Sequence, residues 1–519
     1  MQITLYEKRW PQGSVWPLPQ KWKTSEKVFS INPREMHFDF GDIQCDIIDE
    51  AIHRYKKLLS ILPESHNFGE NQNLLNSYEM QIVKKQCGSP KLGDDESYEI
   101  TVPYKHRKIL LKSNTVWGML RAMETISQLV YISSTSNVYL INETKIEDWP
   151  RFTHRGVMID SARHFIPMST LLRNLDAMSY NKMNVFHWHL IDDQSFPFES
   201  KQFPNLTKLV RIILPEEGAY SSKHVYTQRD VKKVIHEARL RGIRVIPEID
   251  TPGHTQSFGK AFPNLLTKCY SDGKAMQEIY GKHAKQEILN PISNYTYDLL
   301  TTFFKEIRQV FSDDFIHLGM DEVYYDCWLS NPDIQLFMKM HNLTNVNQVE
   351  QFYVENTLKN VRNIGFKSIV WQDPADNGVE SFEMFQVPND TIIQIWKDSQ
   401  DKTWKDYMAE ITEKNRQTIL SSCWYLNYIS YGQDWRKLYS CDPHDFKGSE
   451  EQKSHVIGGE ACLWSEYVDA TNLLSRLCNT PRASAVAERL WSDPLSTAVT
   501  GDAMFRLDEQ RCRMLRTKY

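Results

Sequence analysis

The chain has 519 residues, 41% of them hydrophobic and 24% charged, with a formal net charge of −5. That length has room for a barrel of about 250 residues plus a second domain, with a large core. The mild acidity and the lack of a basic stripe argue against a nucleic-acid partner, and no apolar run approaches the ~18 residues that span a bilayer.

The opening MQITLYEKRW lacks the apolar core of a secretory signal. Read literally this predicts a cytosolic chain, and otherwise a processed or partial start. Residues 1–150 read as an α+β domain. Ile47, Ile48, Ala51, Ile52, Tyr55 and Leu59 fall at helical spacing after Asp46. SYEMQIVKK (77–85) and SYEITVP (97–103) alternate apolar and polar residues, as half-buried strands do. A helix carrying Leu120, Met123, Ile126 and Val130 follows, and NVYLIN (137–142) leads into the second domain, 151–519.

There the pattern changes. Eight short apolar runs each end in polar or aromatic residues: RGVMIDSARHF (155–165), NVFHWHLIDD (184–193), IRVIPEIDTPGH (243–254), FIHLGMDE (315–322), KSIVWQD (367–373), TIIQIWKD (391–398), QTILSSCWYLN (417–427) and HVIGGEACLWSE (455–466). Amphipathic stretches separate most of them. Val231, Val234, Ile235 and Ala238 make one apolar stripe, and Leu300, Phe303, Phe304, Ile307, Val310 and Phe311 another. This alternation predicts an α/β chain with a (β/α)8 barrel behind the smaller α+β domain, and puts the chemistry where the strands end.

The fourth run ends in adjacent acids, Asp321 and Glu322. Neighbouring side chains on a regular strand point to opposite faces, a poor fit to two carboxyls about 5–5.5 Å apart across a scissile bond. At a bend past the strand end both can face a pocket at different depths. The bland alternative is a solvated acidic turn. Trp371, Trp396, Trp424-Tyr425 and Trp464 end four late strands, and Arg155, Asp192, Asp193, His254, Asn427 and Glu466 add polar groups at the expected rim. Aromatic walls with convergent polar groups suit a sugar ring. Asp250 and His254 also read as a structural pair fixing a loop. The histidines lack metal-ligand spacing, so no metal is expected.

Together FIHLGMDEV, RGVMIDSARHF, FHWHLIDDQSFPFES, PEIDTPGHT, SIVWQD, CWYLNYISYGQDW, GGEACLWSEYVDATNL and AERLWS resemble the β-N-acetylhexosaminidases of glycoside hydrolase family 20, the animal lysosomal subunits above all. The resemblance covers nearly the whole chain. It implies a retaining exo-hydrolase of terminal β-linked GlcNAc and GalNAc on glycoproteins, glycolipids or glycosaminoglycans, without metal or organic cofactor. The substrate's own acetamido oxygen would be the nucleophile, an exception to the two-carboxylate rule. By the same resemblance Glu322 is the acid and base, with its pKa held above that of a free Glu, and Asp321 orients the acetamido group. Tyr425 holds the acetamido oxygen, and Trp371, Trp396 and Trp464 form the walls. Arg155 takes the ring hydroxyls with Asp192 and Glu466, and His254 supports the acid from behind, through Asp192.

Four departures stand out. Met320 replaces the second Gly of the family's acidic motif, where Gly suits an unusual backbone angle; this motivates the alternative of an impaired paralogue acting as a glycan-binding or dimer-partner subunit. After Tyr425 the animal subunits carry Asn-Arg, suited to sulfated sugars, or Asp-Leu, suited to neutral ones; here Asn427-Tyr428 predicts neutral substrates and leaves 6-sulfate tolerance open. Of nine cysteines, Cys45 with Cys87 and Cys269 with Cys327 match two family disulfides, while Cys512 lacks its family partner. RLCNTPRAS (476–484) stands where the family usually has Trp. The resemblance further implies a homo- or heterodimer, a lipid-presenting activator protein and a lysosomal or secretory location. Sequons at Asn142, Asn205, Asn294, Asn342 and Asn389 agree weakly with the last.

Overall fold

The eight runs form parallel strands that close on themselves. They are His154–Asp160, Val185–His189, Arg244–Glu248, Phe315–His317, Lys367–Trp371, Ile392–Ile395, Thr418–Leu420 and Val456–Leu463, each paired with the next and the last with the first. The computed structural model describes residues 13–41, 43–60, 73–105, 107–133, 138–208, 219–271, 274–275, 286–376, 387–479 and 481–517. The first and last barrel strands are buried throughout. Strands covered on both faces are apolar runs, not alternating ones, which is why these were legible. Helices Gln228–Arg239 and Asn294–Val310 lay the predicted stripes on the barrel, the first held at its start by a Thr227–Asp230 capping box.

Ahead of the barrel lies a mixed sheet in the order His37–Asp39, Ser77–Ile82, Lys108–Ser113, Tyr98–Tyr104, Tyr139–Asp148, Lys21–Ile31 and Leu74–Leu75. Helices Asp46–Ser60 and Val116–Leu129 share one apolar core with it. The seam to the barrel is ionic. Glu96 accepts from Arg121 at 2.8 Å and Arg155 at 2.6 Å, and Lys182 reaches Asp148 at 3.0 Å, all five side chains buried.

The long third connection carries a helix, Gln256–Ala261, and a two-stranded ribbon, Leu266–Lys268 with Gln286–Leu289. Cys45 is joined to Cys87 and Cys269 to Cys327. A third disulfide, Cys423–Cys441, was not read from the sequence. Cys462 and Cys512 are free thiols, and the side chain of Cys478 lies outside the described residues. Asn205, Asn294, Asn342 and Asn389 are exposed, whereas the Asn142 side chain is hydrogen-bonded to Ser25 and Tyr131.

Candidate active site

The acids follow the short fourth strand, Phe315–His317, in a turn of unusual backbone. Gly319, Met320 and Glu322 have φ of 65°, 72° and 50°. A Cβ on Gly319 would stand 1.7 Å from Asp250 Oδ1, so no other residue fits there. Met320 holds its left-handed angle with a buried side chain in the barrel core and a backbone N–H donated to Asp250 Oδ1 at 3.1 Å. An L-residue pays roughly 1–2 kcal/mol for that conformation. The turn nevertheless sends the acids to different depths: the Asp321 side chain is 11% exposed and that of Glu322 60%.

Asp321 Oδ1 is buried with no hydrogen-bond partner among the described residues. Burial pushes its carboxyl up to about 7; the His254 cation opposes this, and the Asp373, Glu248 and Glu322 carboxylates reinforce it. Around it stand the aromatics. Trp371, Trp396, Tyr425 and Trp464 cluster with Met158 and Cys462. Trp371 donates its indole N–H to Glu248 at 2.8 Å, and Trp396 to Asp373 at 2.8 Å. The Trp371 and Trp464 rings lie 6.0 Å apart. The Tyr425 hydroxyl is hydrogen-bonded to Trp464, and burial keeps it protonated and able to donate.

Behind Glu322 stands His254, itself at φ 54°. Its Nε2 lies 3.5 Å from Glu322 Oε2 and 3.9 Å from Asp321 Oδ2, and its Nδ1 3.2 Å from Asp192 Oδ1. The partner of His254 is therefore Asp192; Asp250 is committed to the Met320 turn. Burial opposes charge on His254, but Asp192 and Asp250 outweigh it and hold the ring cationic. Asp192 is wholly buried, and Arg163 and His254 overcome the cost of burial to keep it ionised.

Arg155 is not at this rim. It is the second residue of the first strand, at the opposite end of the barrel, with its guanidinium on Glu96 and the carbonyls of Phe152 and Lys182 and 4.9 Å from the Trp491 ring. The arginine at the rim is Arg163, beyond the end of the same strand. It meets Asp160 at 3.1 Å and Asp192 at 2.8 Å, and lies over the Trp464 ring at 4.9 Å. Burial opposes its charge, but Asp192, Asp160 and Glu466 outweigh it. The signal was available: strand starts and strand ends face opposite sides of a barrel, and only Arg163 follows the apolar run.

Glu466 is exposed beyond the eighth strand, and the half-buried Asp193 accepts from the Gln256 backbone at 3.0 Å. Asn427 is half-buried, with Arg476 donating to its carbonyl at 3.2 Å, and Tyr428 beside it is exposed and stacked on Tyr425 at 5.7 Å. Asp373 was missed as a site residue. It orients Trp396 and binds Lys397 at 3.0 Å. Among the described residues four carboxylate–His groups bring ligand atoms within 4.8 Å of one another, and the two that include His254 are Asp192-Asp193-His254 and Asp250-His254-Asp321. Asp192 and His254 are already engaged with each other, and the Arg163 cation sits beside Asp192 where a metal would supply charge.

Residues 152–494 match the catalytic domain of glycosyl hydrolase family 20, and residues 15–129 a domain described as beta-acetyl hexosaminidase like. The chain is 44% identical over 514 residues to the rat (Rattus norvegicus) beta-hexosaminidase subunit alpha, covering 97% of this chain and 92% of that protein. To the human (Homo sapiens) subunit beta it is 44% identical over 516 residues, covering 97% and 87%. Among solved structures, a Flavobacterium johnsoniae chitobiase superimposes with a TM-score of 0.81 at 28% identity, over 96% of this chain and 72% of that one. With the acids, the aromatic cluster and the closed barrel in place, these matches show that the chain belongs to glycoside hydrolase family 20, as a β-N-acetylhexosaminidase.

Proposed function

We propose that the chain removes terminal β-linked GlcNAc or GalNAc by substrate-assisted catalysis. The observation that carries this is the pairing of a buried Asp321 oxygen without a hydrogen-bond partner among the described residues with an exposed Glu322 backed by a cationic histidine. Two adjacent carboxyls at different depths do not suit a direct nucleophile and acid. They suit one group on the acetamido N–H and another on the leaving oxygen.

In the first step the acetamido oxygen forms a bond to the anomeric carbon as the glycosidic C–O bond breaks. Glu322 gives its proton to the departing oxygen. Asp321 accepts the acetamido N–H and balances the positive charge of the oxazolinium ring, while Tyr425 donates to the acetamido oxygen and sets its line of attack. Water then attacks the anomeric carbon, Glu322 takes its proton, and the ring reopens with net retention. Trp371, Trp396 and Trp464 wall the sugar. Arg163, with Glu466, takes the place on the ring hydroxyls that Arg155 cannot reach, and Asp192 serves through Arg163 and His254. Asn427 and Tyr428 offer neither a cation for a 6-sulfate nor an acid to repel one, which favours neutral termini on glycoproteins, glycolipids or glycosaminoglycans. The proposal extends to dimerisation with a related subunit, which the relatives' designation as subunits supports, to a lysosomal or secretory location, and to a lipid-presenting activator.

Progressive fluorination of the substrate's acetamido methyl tests the nucleophile. Each fluorine weakens the carbonyl oxygen, so kcat/KM should fall steeply along the series. A flat series would put the nucleophile on the protein.

A further inference from the structure

Beneath the pocket floor lies a chain of buried acids and histidines that the reaction above does not use. Glu248 ends the third barrel strand and His189 the second, and the two are register partners. Both are fully buried. His189 Nδ1 lies 2.7 Å from Glu248 Oε2, and its Nε2 2.8 Å from Asp192 Oδ2. Glu248 Oε1 accepts the Trp371 indole N–H, and its Oε2 also lies 2.9 Å from His187 Nε2.

Both ring nitrogens of His189 therefore face carboxylate oxygens. A neutral ring would set a lone pair against one of them, so the geometry requires an imidazolium donating on both sides. On Asp192 the consequence is directional. Oδ2 receives His189 and Arg163, which leaves Oδ1 to His254 Nδ1 and the Asp193 backbone N–H. That contact aims His254 Nε2 at Glu322. Buried ionic groups of this kind cost desolvation that an apolar core would avoid. Orienting the acid is a use that would justify them.

We propose that Glu248 and His189 are positioning residues, which hold Asp192 and His254 in the orientation that places the proton of Glu322 on the leaving oxygen. The proposal rests on the assignment of Glu322 as the acid. Neither residue touches substrate; Glu248 is anchored by Trp371 and His189 by Glu248.

Leaving-group dependence separates positioning from mere support of the fold. General acid catalysis matters for a poor leaving group and hardly at all for a good one. Glu248→Gln and His189→Gln would be assayed on phenyl and 2,4-dinitrophenyl β-GlcNAc, beside Glu322→Gln. The expected result is a fall in kcat/KM of at least about tenfold on the phenyl glycoside, with the dinitrophenyl rate within about threefold of the parent. The dinitrophenyl rate also reports folding in the same assay. An equal loss on both substrates, complete loss by unfolding included, overturns the proposal. If only Glu322→Gln shows the split, the proposal falls and the acid stands. If Glu322→Gln shows none, the acid assignment falls and the proposal with it.

Discussion

The guanidinium of Arg163 meets the Asp192 carboxylate at 2.8 Å, and this contact ties the loop after the first barrel strand to the loop after the second. Asp192 also holds His254, so one buried carboxylate joins the proposed sugar-hydroxyl ligand to the support of the acid. Arg163→Ala should lower kcat/KM by about a hundredfold or more, since a 1 Å error near the reacting atoms costs that much. Arg155→Ala should act on stability instead. It removes one of the two cations on Glu96, which Arg121 still pairs, and leaves the buried carbonyls of Phe152 and Lys182 without their donor, a cost of about 1–3 kcal/mol for each buried group left unsatisfied, while the folded fraction keeps its KM. Thermal melts and steady-state kinetics on both variants check this. A raised KM in folded Arg155→Ala would contradict the assignment.

Met320→Gly weighs two effects. The substitution relieves roughly 1–2 kcal/mol of left-handed strain. It also empties a fully buried site, and truncating a core Met costs about 2–5 kcal/mol even to Ala. The second effect wins, so the variant should melt lower. Its rate should stay within about threefold of the parent, because the turn already sends both acids to the pocket and positional errors well below 1 Å cost little. A rise of orders of magnitude would show that Met320 displaces the acids.

The raised carboxyl of Asp321 gives a pH signature. Its role requires the carboxylate, and burial holds it protonated below about 7 in the free site. The rate constant kcat/KM, which reports the free enzyme, should therefore decline as pH falls through that region. Bound substrate donates its N–H to the carboxylate and favours the ionised form, so kcat should hold to lower pH. Coincident acid limbs for the two parameters would count against Asp321 as the acetamido partner.

Much of this was legible in the chain. The eight strands are apolar runs because both faces are buried, and the buried faces of the flanking helices read as stripes for the same reason. The clustered aromatics Trp371, Trp396, Tyr425 and Trp464 stand at or just beyond strand ends, where the fold puts them. Arg155 and Arg163 share one motif, and only their places at opposite ends of the same strand separate the seam ligand from the rim ligand. The His189–Glu248 pair was not legible, since its partners come from different strands and meet only through register. Cys423–Cys441 was likewise not legible, since the two cysteines meet only once the chain after the seventh strand folds back on itself.

That disulfide brackets Tyr425, closing a loop with a sequence separation of 18. Loops of this size contribute about 3 kcal/mol by restricting the unfolded chain. Cys423→Ser should lower the melting temperature and raise KM by loosening Tyr425. An unchanged KM would mean that the hydroxyl is held by Trp464 alone.

The most direct test of the account is release of 4-methylumbelliferone from its β-GlcNAc glycoside by the parent chain and by Glu322→Gln, followed across pH about 3–8. Turnover by the parent with a loss of at least about a hundredfold in the variant, at unchanged folding, is the result expected if Glu322 is the acid and base. Equal turnover by the two, or none from a folded parent that binds the sugar, would contradict it.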